Sequence, residues 1–150
     1  MILNGTVLTR DVKGNIVQRT LASAKDEADT LQVLSMNRHG HEAYSFALLD
    51  SIKAAETSAA TYVVVAENSL GKRMEVHCTD KTQFYTRSKR WSGFVYPNKL
   101  RKNHILIDEE DRVCKLVSVE RIAATDEPRE AFEVEVKYNG NFFCNGLLVR

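Results

Sequence analysis

Three sets of side chains in this 150-residue chain could carry chemistry. His39-Gly40-His41, taken with His77 and Cys78, offers imidazole and thiolate, the donors that suit zinc. Ligand pairs normally come with a second recognisable pair. The simpler expectation is therefore a polar hairpin tip with two solvated histidines, and no metal. Cys78, Cys114 and Cys144 are odd in number and widely spaced, with no Cys-x-x-Cys pair. They suggest neither a disulfide scaffold nor a structural zinc site, and are expected to be free, buried thiols. The densest positive region holds Tyr85, Arg87, Lys89, Arg90, Trp91, Phe94, Arg101 and Lys102. Its cations could meet phosphates and its rings could stack on bases. A net charge of only +1 favours the plainer reading, in which Trp91 and Phe94 are core residues of a strand and the basic groups solvate a turn.

The chain that must position these groups has an ordinary globular make-up. It is 43% hydrophobic, enough to bury a core, and a single domain over residues 1–150 is expected. No stretch approaches the roughly 18 apolar residues of a membrane span, and the amino terminus lacks the basic and apolar runs of a signal peptide. A cytoplasmic protein is the expectation, with no cofactor, no membrane and no small-molecule substrate.

Most of the sequence reads as short strands between turns, so the fold class is mainly β. One amphipathic helix is predicted over Val17 to Leu31, where Val17, Leu21, Ala24, Ala28 and Leu31 recur at three- and four-residue spacing. It follows a first strand at Thr6 to Thr9. Two hairpins are predicted: Leu31 to Met36 with Ala43 to Leu49, and Thr61 to Ala66 with Arg73 to Cys78. Further strands are expected at Trp91 to Tyr96, His104 to Asp108, Arg112 to Ile122, Ala131 to Tyr138 and Gly146 to Val149. In the fourth of these, Phe132, Val134 and Val136 alternate with Glu133, Glu135 and Lys137.

Four segments then stand out in order: Leu3-Asn4-Gly5-Thr6-Val7-Leu8-Thr9, Cys78-Thr79-Asp80-Lys81-Thr82-Gln83-Phe84-Tyr85-Thr86, Phe132-Glu133-Val134-Glu135-Val136, and Asn141-Phe142-Phe143-Cys144-Asn145-Gly146-Leu147-Leu148-Val149-Arg150. Together they resemble the motifs of inteins, especially the compact ones inside ribonucleotide reductases. The resemblance covers nearly the whole chain and implies the horseshoe-shaped Hint β-fold shared with Hedgehog autoprocessing domains. It also implies where splicing groups would stand. The first-residue cysteine falls on Ile2. The histidine of Thr-x-x-His falls on Thr82, with Thr79 kept. The aspartate of the third motif falls on Glu133. The histidine before the Asn-Phe pair falls on Gly140, and the penultimate histidine on Arg150.

Splicing needs a thiol or hydroxyl on the first residue to attack the preceding carbonyl, and neither Ile2 nor Met1 has one. Protonating the departing amide suits imidazole, whose pKa lies near working pH, and a threonine hydroxyl does not titrate there. Release at the far end needs a terminal asparagine, and none follows Arg150. Thr79 and Glu133 remain as auxiliary groups. A variant intein class replaces the first cysteine by one at the position of Glu133, with a tryptophan in the second motif; Trp91 fits that pattern and Glu133 does not. The resemblance thus predicts a Hint domain without splicing activity, kept as a structural or protein-interaction module for an unidentified protein partner, in a host cytoplasm or, if of phage origin, a virion. The alternatives are a splicing or cleaving intein, trimmed of its asparagine or working with a partner fragment, and a nucleic-acid-binding β domain using Arg87, Lys89, Arg90 and Trp91.

Overall fold

β-Branched and aromatic runs broken by Gly, Asn and Asp turns favour short strands, and the computed structural model, in which residues 1–37 and 43–150 are described, holds fourteen among them. In chain order these are β1 (Ile2–Asn4), β2 (Thr6–Arg10), β3 (Ile16–Thr20), β4 (Gln32–Met36), β5 (Tyr44–Thr57), β6 (Thr61–Asn68) and β7 (Arg73–Thr79). They continue with β8 (Phe84–Arg87), β9 (Ser92–Val95), β10 (Ile105–Ile107), β11 (Val113–Ile122), β12 (Arg129–Val136), β13 (Phe142–Cys144) and β14 (Leu147–Val149). One helical turn, α1 (Leu21–Ala24), runs into a 3-10 helix at Lys25–Thr30, and a second 3-10 turn spans Pro97–Lys99.

The strands form one curled sheet in the order β13-β14-β8-β10-β11-β6-β7-β1-β12-β5-β4-β2-β3, with β9 paired to β8. Two buried or half-buried asparagines tie the curl across sequence-distant strands. Asn141 accepts from the Met36 N–H at 2.8 Å and donates to the Met36 carbonyl at 3.0 Å, joining the approach to β13 to the end of β4. Asn145 accepts from the Thr6 N–H at 2.8 Å and donates to the Glu75 carbonyl at 2.7 Å, joining the β13–β14 turn to β2 and β7. That turn needs left-handed backbone at both central residues, which Asn145 (φ 50) and Gly146 (φ 90) supply.

A main hydrophobic cluster, including Ile2, Val7, Val76, Cys78, Phe84, Phe132, Phe142 and Val149, lies inside the curl. A second joins Met36, Tyr85, Ile107, Phe143 and Leu148. All three cysteines are free and buried, as expected. Both predicted hairpins form, β4 with β5 and β6 with β7. The Glu133 and Glu135 side of β12 is exposed and its Phe132 and Val136 side buried. No helix among the described residues is long and apolar enough to cross a membrane.

The helix is shorter than its periodicity suggests. Asp11 accepts from the N–H groups of Lys13 and Asn15, and Gly14 has φ 86, so the chain turns and returns as β3 beside β2. Thr20 then caps the helix, its hydroxyl accepting from the Ser23 N–H at 3.1 Å. Val17, expected on the buried stripe, is 52% exposed on β3. Strand β5 continues eight residues beyond Leu49, through Ala, Lys and Glu of low strand propensity, because β12 pairs with it from Thr57 to Leu49. There tertiary pairing overrides local preference. Trp91, read as a core residue, is 50% exposed.

Candidate functional site

β1 is a short central strand, and the register around it builds the site. Ile2 pairs with Phe132 on β12 and Cys78 on β7, and its side chain is 3% exposed, inside the core. A buried Ile2 leaves Met1 at the surface end of the strand, where two threonines hold its backbone. The Met1 nitrogen donates to Thr79 Oγ1 at 3.0 Å and to Thr82 Oγ1 at 3.2 Å. The Met1 carbonyl accepts from the Thr79 N–H and the Thr82 hydroxyl, both at 3.0 Å. Both threonines are buried, and the Thr82 N–H reaches the Thr79 carbonyl at 3.3 Å, so the turn that spaces them is itself bonded.

Above this cradle opens a cleft of about 290 Å³. Met1, Ile2 and Thr82 line one side, Phe132 to Glu135 of β12 another, and Val149 and Arg150 a third, with Lys81 and Phe142 completing it. Arg150 is fixed by a two-way backbone pair with Gln83 (2.8 and 2.9 Å), by Nε donation to Gln83 Oε1 at 2.7 Å, and by its guanidinium 4.4 Å from the centre of the Phe94 ring.

The electrostatics follow from burial. The Met1 α-amino group is held below its ordinary value by desolvation, partly opposed by nearby negative charge, including Glu133 and Asp80. Burial pushes the Cys78 thiol up to about 12, although the Met1 amine and the Thr82 hydroxyl pull the other way. The thiol nearest the cleft is therefore protonated at neutral pH and a weak nucleophile.

Ile2, Thr82, Glu133 and Arg150, singled out from the sequence, thus come together, with Thr79 bonded to the same first residue. Two placements differ from the motif reading. Met1, not Ile2, is the residue whose nitrogen and carbonyl the threonines hold. The signal was in the sequence: an isoleucine followed by the Gly5-Thr6 turn into β2 belongs to the core face, which leaves its neighbour outside. Gly140 lies in the β12–β13 connection with φ 63 and does not line the cleft. Arg87, Lys89, Arg90 and Trp91 occupy the β8–β9 hairpin instead. There Arg87 pairs with Asp111 at 3.0 Å while the other three are exposed. His77 sits beside Glu75 at 3.0 Å, whereas Cys78 is buried in the core, so these two do not converge; His39 and His41 lie outside the described residues.

Solved intein structures match the fold of this chain over nearly its full length. A bacterial intein-like domain from Clostridium thermocellum aligns with a TM-score of 0.75 at 18% identity, covering 99% of this chain and 96% of that one. The transcription factor IIB Mvu mini-intein gives 0.76 at 13% identity, covering 99% and 98%, and an intein from a hyperthermophile 0.79 at 12% identity, covering 97% and 95%. No protein-family model matches the sequence, and no curated protein does. The chain has the intein, or Hint, fold. Identities this low speak to fold, and activity has to be argued from the cleft.

Proposed function

We propose that this Hint domain does not cleave or splice, and serves as a structural or protein-interaction module inside a cell, where its three buried cysteines stay reduced. The observation that carries the proposal is the Met1 cradle. Thr79 and Thr82 hold both the nitrogen and the carbonyl of Met1, yet its side chain is a thioether, which forms neither thioester nor ester. The second support is Thr82 itself, a hydroxyl where proton donation to a leaving nitrogen would need a group titrating near neutrality. Glu133 and Arg150 supply charge to the cleft and no nucleophile.

The test is the intact mass of the domain expressed between two reporter domains, with thiol reductant varied. A single uncleaved mass is expected. Cleaved or ligated products would overturn the proposal and favour an active intein, trimmed or completed by a partner fragment. A restored variant carrying Met1→Cys, Thr82→His, Gly140→His and Arg150→His, followed by an added asparagine, should recover cleavage. If that variant folds and stays intact, the assignment of positions is wrong.

A further inference from the structure

Residues 81–107 carry seven of the 21 Lys and Arg in the chain and none of its 20 Asp and Glu. A chain of net charge +1 is therefore strongly segregated, with the rest of it net negative. The fold gathers this segment into one lobe. β8 and β9 form a hairpin, paired from Phe84–Val95 to Arg87–Ser92. Its tip is fixed by the Ser88 N–H and hydroxyl donating to the Trp91 carbonyl at 2.7 and 2.9 Å, which leaves Lys89 and Arg90 at the apex, both exposed. Ile105 of β10 pairs antiparallel with Arg87, and that register carries the chain before it, with exposed Arg101 and Lys102, back alongside the tip. Buried Pro97 and Leu100 anchor the intervening turn.

Trp91 is the second observation. A Cβ placed on Gly93 would lie 2.7 Å from Trp91 Cζ2 and 3.2 to 3.3 Å from two further atoms of the indole, so the ring rests on bare backbone at Gly93. It is half exposed just before β9, and Tyr96, 45% exposed, lies just after it. An indole backed by Gly93 and half open to solvent, with exposed cations in the same lobe, can serve as a stacking platform. Reaching it with a base requires that base to be unstacked, which selects single strands over duplex.

We propose that the β8–β9 hairpin is a binding surface for single-stranded nucleic acid, with a base stacked on Trp91 and phosphates met by Lys89, Arg90, Arg101 and Lys102. This surface is separate from the Met1 cleft and stands whether or not the cleft cleaves.

The sole tryptophan of the chain makes the test direct. Oligothymidine of about 20 nucleotides should quench Trp91 fluorescence and raise the anisotropy of its own label. Four phosphate contacts at about 0.7 each give a log–log salt slope of about −3, or roughly 50-fold weaker binding between about 50 and 200 mM salt. Lys89→Glu with Arg90→Glu should bring the slope to about −1.4. Trp91→Ala should weaken binding by roughly 5- to 150-fold. The exposed pair Lys13→Glu with Lys53→Glu, outside the lobe, should leave binding unchanged, and far-ultraviolet circular dichroism checks that every variant is folded. The proposal is overturned by absence of salt-sensitive binding, by tighter binding to duplex, by equal loss in the Lys13/Lys53 control, or by capture on phosphatidylserine vesicles without oligothymidine binding.

Discussion

Thr82→Val replaces a buried hydroxyl by a methyl of nearly equal size, which isolates the hydrogen bonds at the cradle from its packing. The lost hydroxyl donates to the Met1 carbonyl at 3.0 Å and accepts from the Met1 nitrogen at 3.2 Å. Neither partner is orphaned, because the Thr79 N–H still serves the carbonyl and the Thr79 hydroxyl still serves the nitrogen. The cost is then two net hydrogen bonds at about 1 kcal/mol each, or about 2 kcal/mol. For a domain of this size that lowers Tm by about 4–8 °C. Thr79→Val alone should cost less, since its backbone N–H bond survives. In the double variant the half-buried Met1 nitrogen loses both side-chain acceptors, so the pair should cost about 1 kcal/mol more than the sum of the singles. Urea and thermal unfolding followed by circular dichroism measure all three, with an unchanged urea m-value as the check that the unfolding transition is the same one. Amide exchange in β1 reports the same loss locally. A Thr82→Val protein within about 0.5 kcal/mol of the parent, together with strict additivity in the double variant, would refute the claim that the threonines hold the first residue.

Asn145→Ala removes three hydrogen bonds, to the Thr6 N–H, the Thr6 hydroxyl and the Glu75 carbonyl, and puts alanine at φ 50; a loss of about 3–4 kcal/mol is expected by urea unfolding. The Cys78 and Cys144 thiols, buried and each pushed up to about 12 from an ordinary value near 9, stabilise the fold fully below pH 9 and lose that contribution as pH climbs toward 12. Each steepens the alkaline fall by at most about 1.4 kcal/mol per pH unit, and a thiol reagent should label none of the three cysteines until denaturant is added. The Met1 amine runs the other way: the unfolded chain holds that proton more tightly, so stability rises with pH up to its ordinary value of 8.0. Acetylating the amine should abolish that rise in a urea series run across neutral pH.

The strands legible in the sequence were those whose local pattern agrees with their place in the sheet. The Phe132-Val134-Val136 alternation and the β6–β7 hairpin with its Asn-Gly-bounded turn needed no tertiary information. The strands that escaped are short or atypical and owe their form to neighbours. β1 is three residues clamped between β7 and β12, β8 is four residues between β9, β10 and β14, and the second half of β5 is an Ala- and Lys-rich stretch held by β12. β3 was lost to helix because Val17 falls on the same periodic stripe as Leu21 and Ala24, and only the Asp11–Asn15 turn and the Thr20 cap decide between them. The site was legible as motifs and not as geometry. Which residue faces Thr79 and Thr82 depends on a one-residue register, and in a strand such a slip exchanges the core residue for the surface one.

That register also separates the motif positions the fold itself depends on from those it does not. Asn141 and Asn145-Gly146 each close a turn or join distant strands through bonds of 2.7 to 3.0 Å, and Thr79 bonds the first residue through both its backbone and its hydroxyl. Changing any of them opens buried polar groups in the curl itself, at a cost of about 1–3 kcal/mol per orphaned group. Met1, Gly140 and Arg150 occupy positions that the fold can fill with other side chains: a half-buried thioether, an exposed left-handed glycine, and an arginine seated on Phe94 and Gln83. Thr82 is the informative exception. It stands where the catalytic imidazole is expected, yet its hydroxyl both donates to and accepts from Met1. On the proposed reading, a hydrogen-bonding group there takes the place of a proton-transfer one. Thr82→His by itself should therefore destabilise the domain without conferring cleavage, and should become productive only together with Met1→Cys.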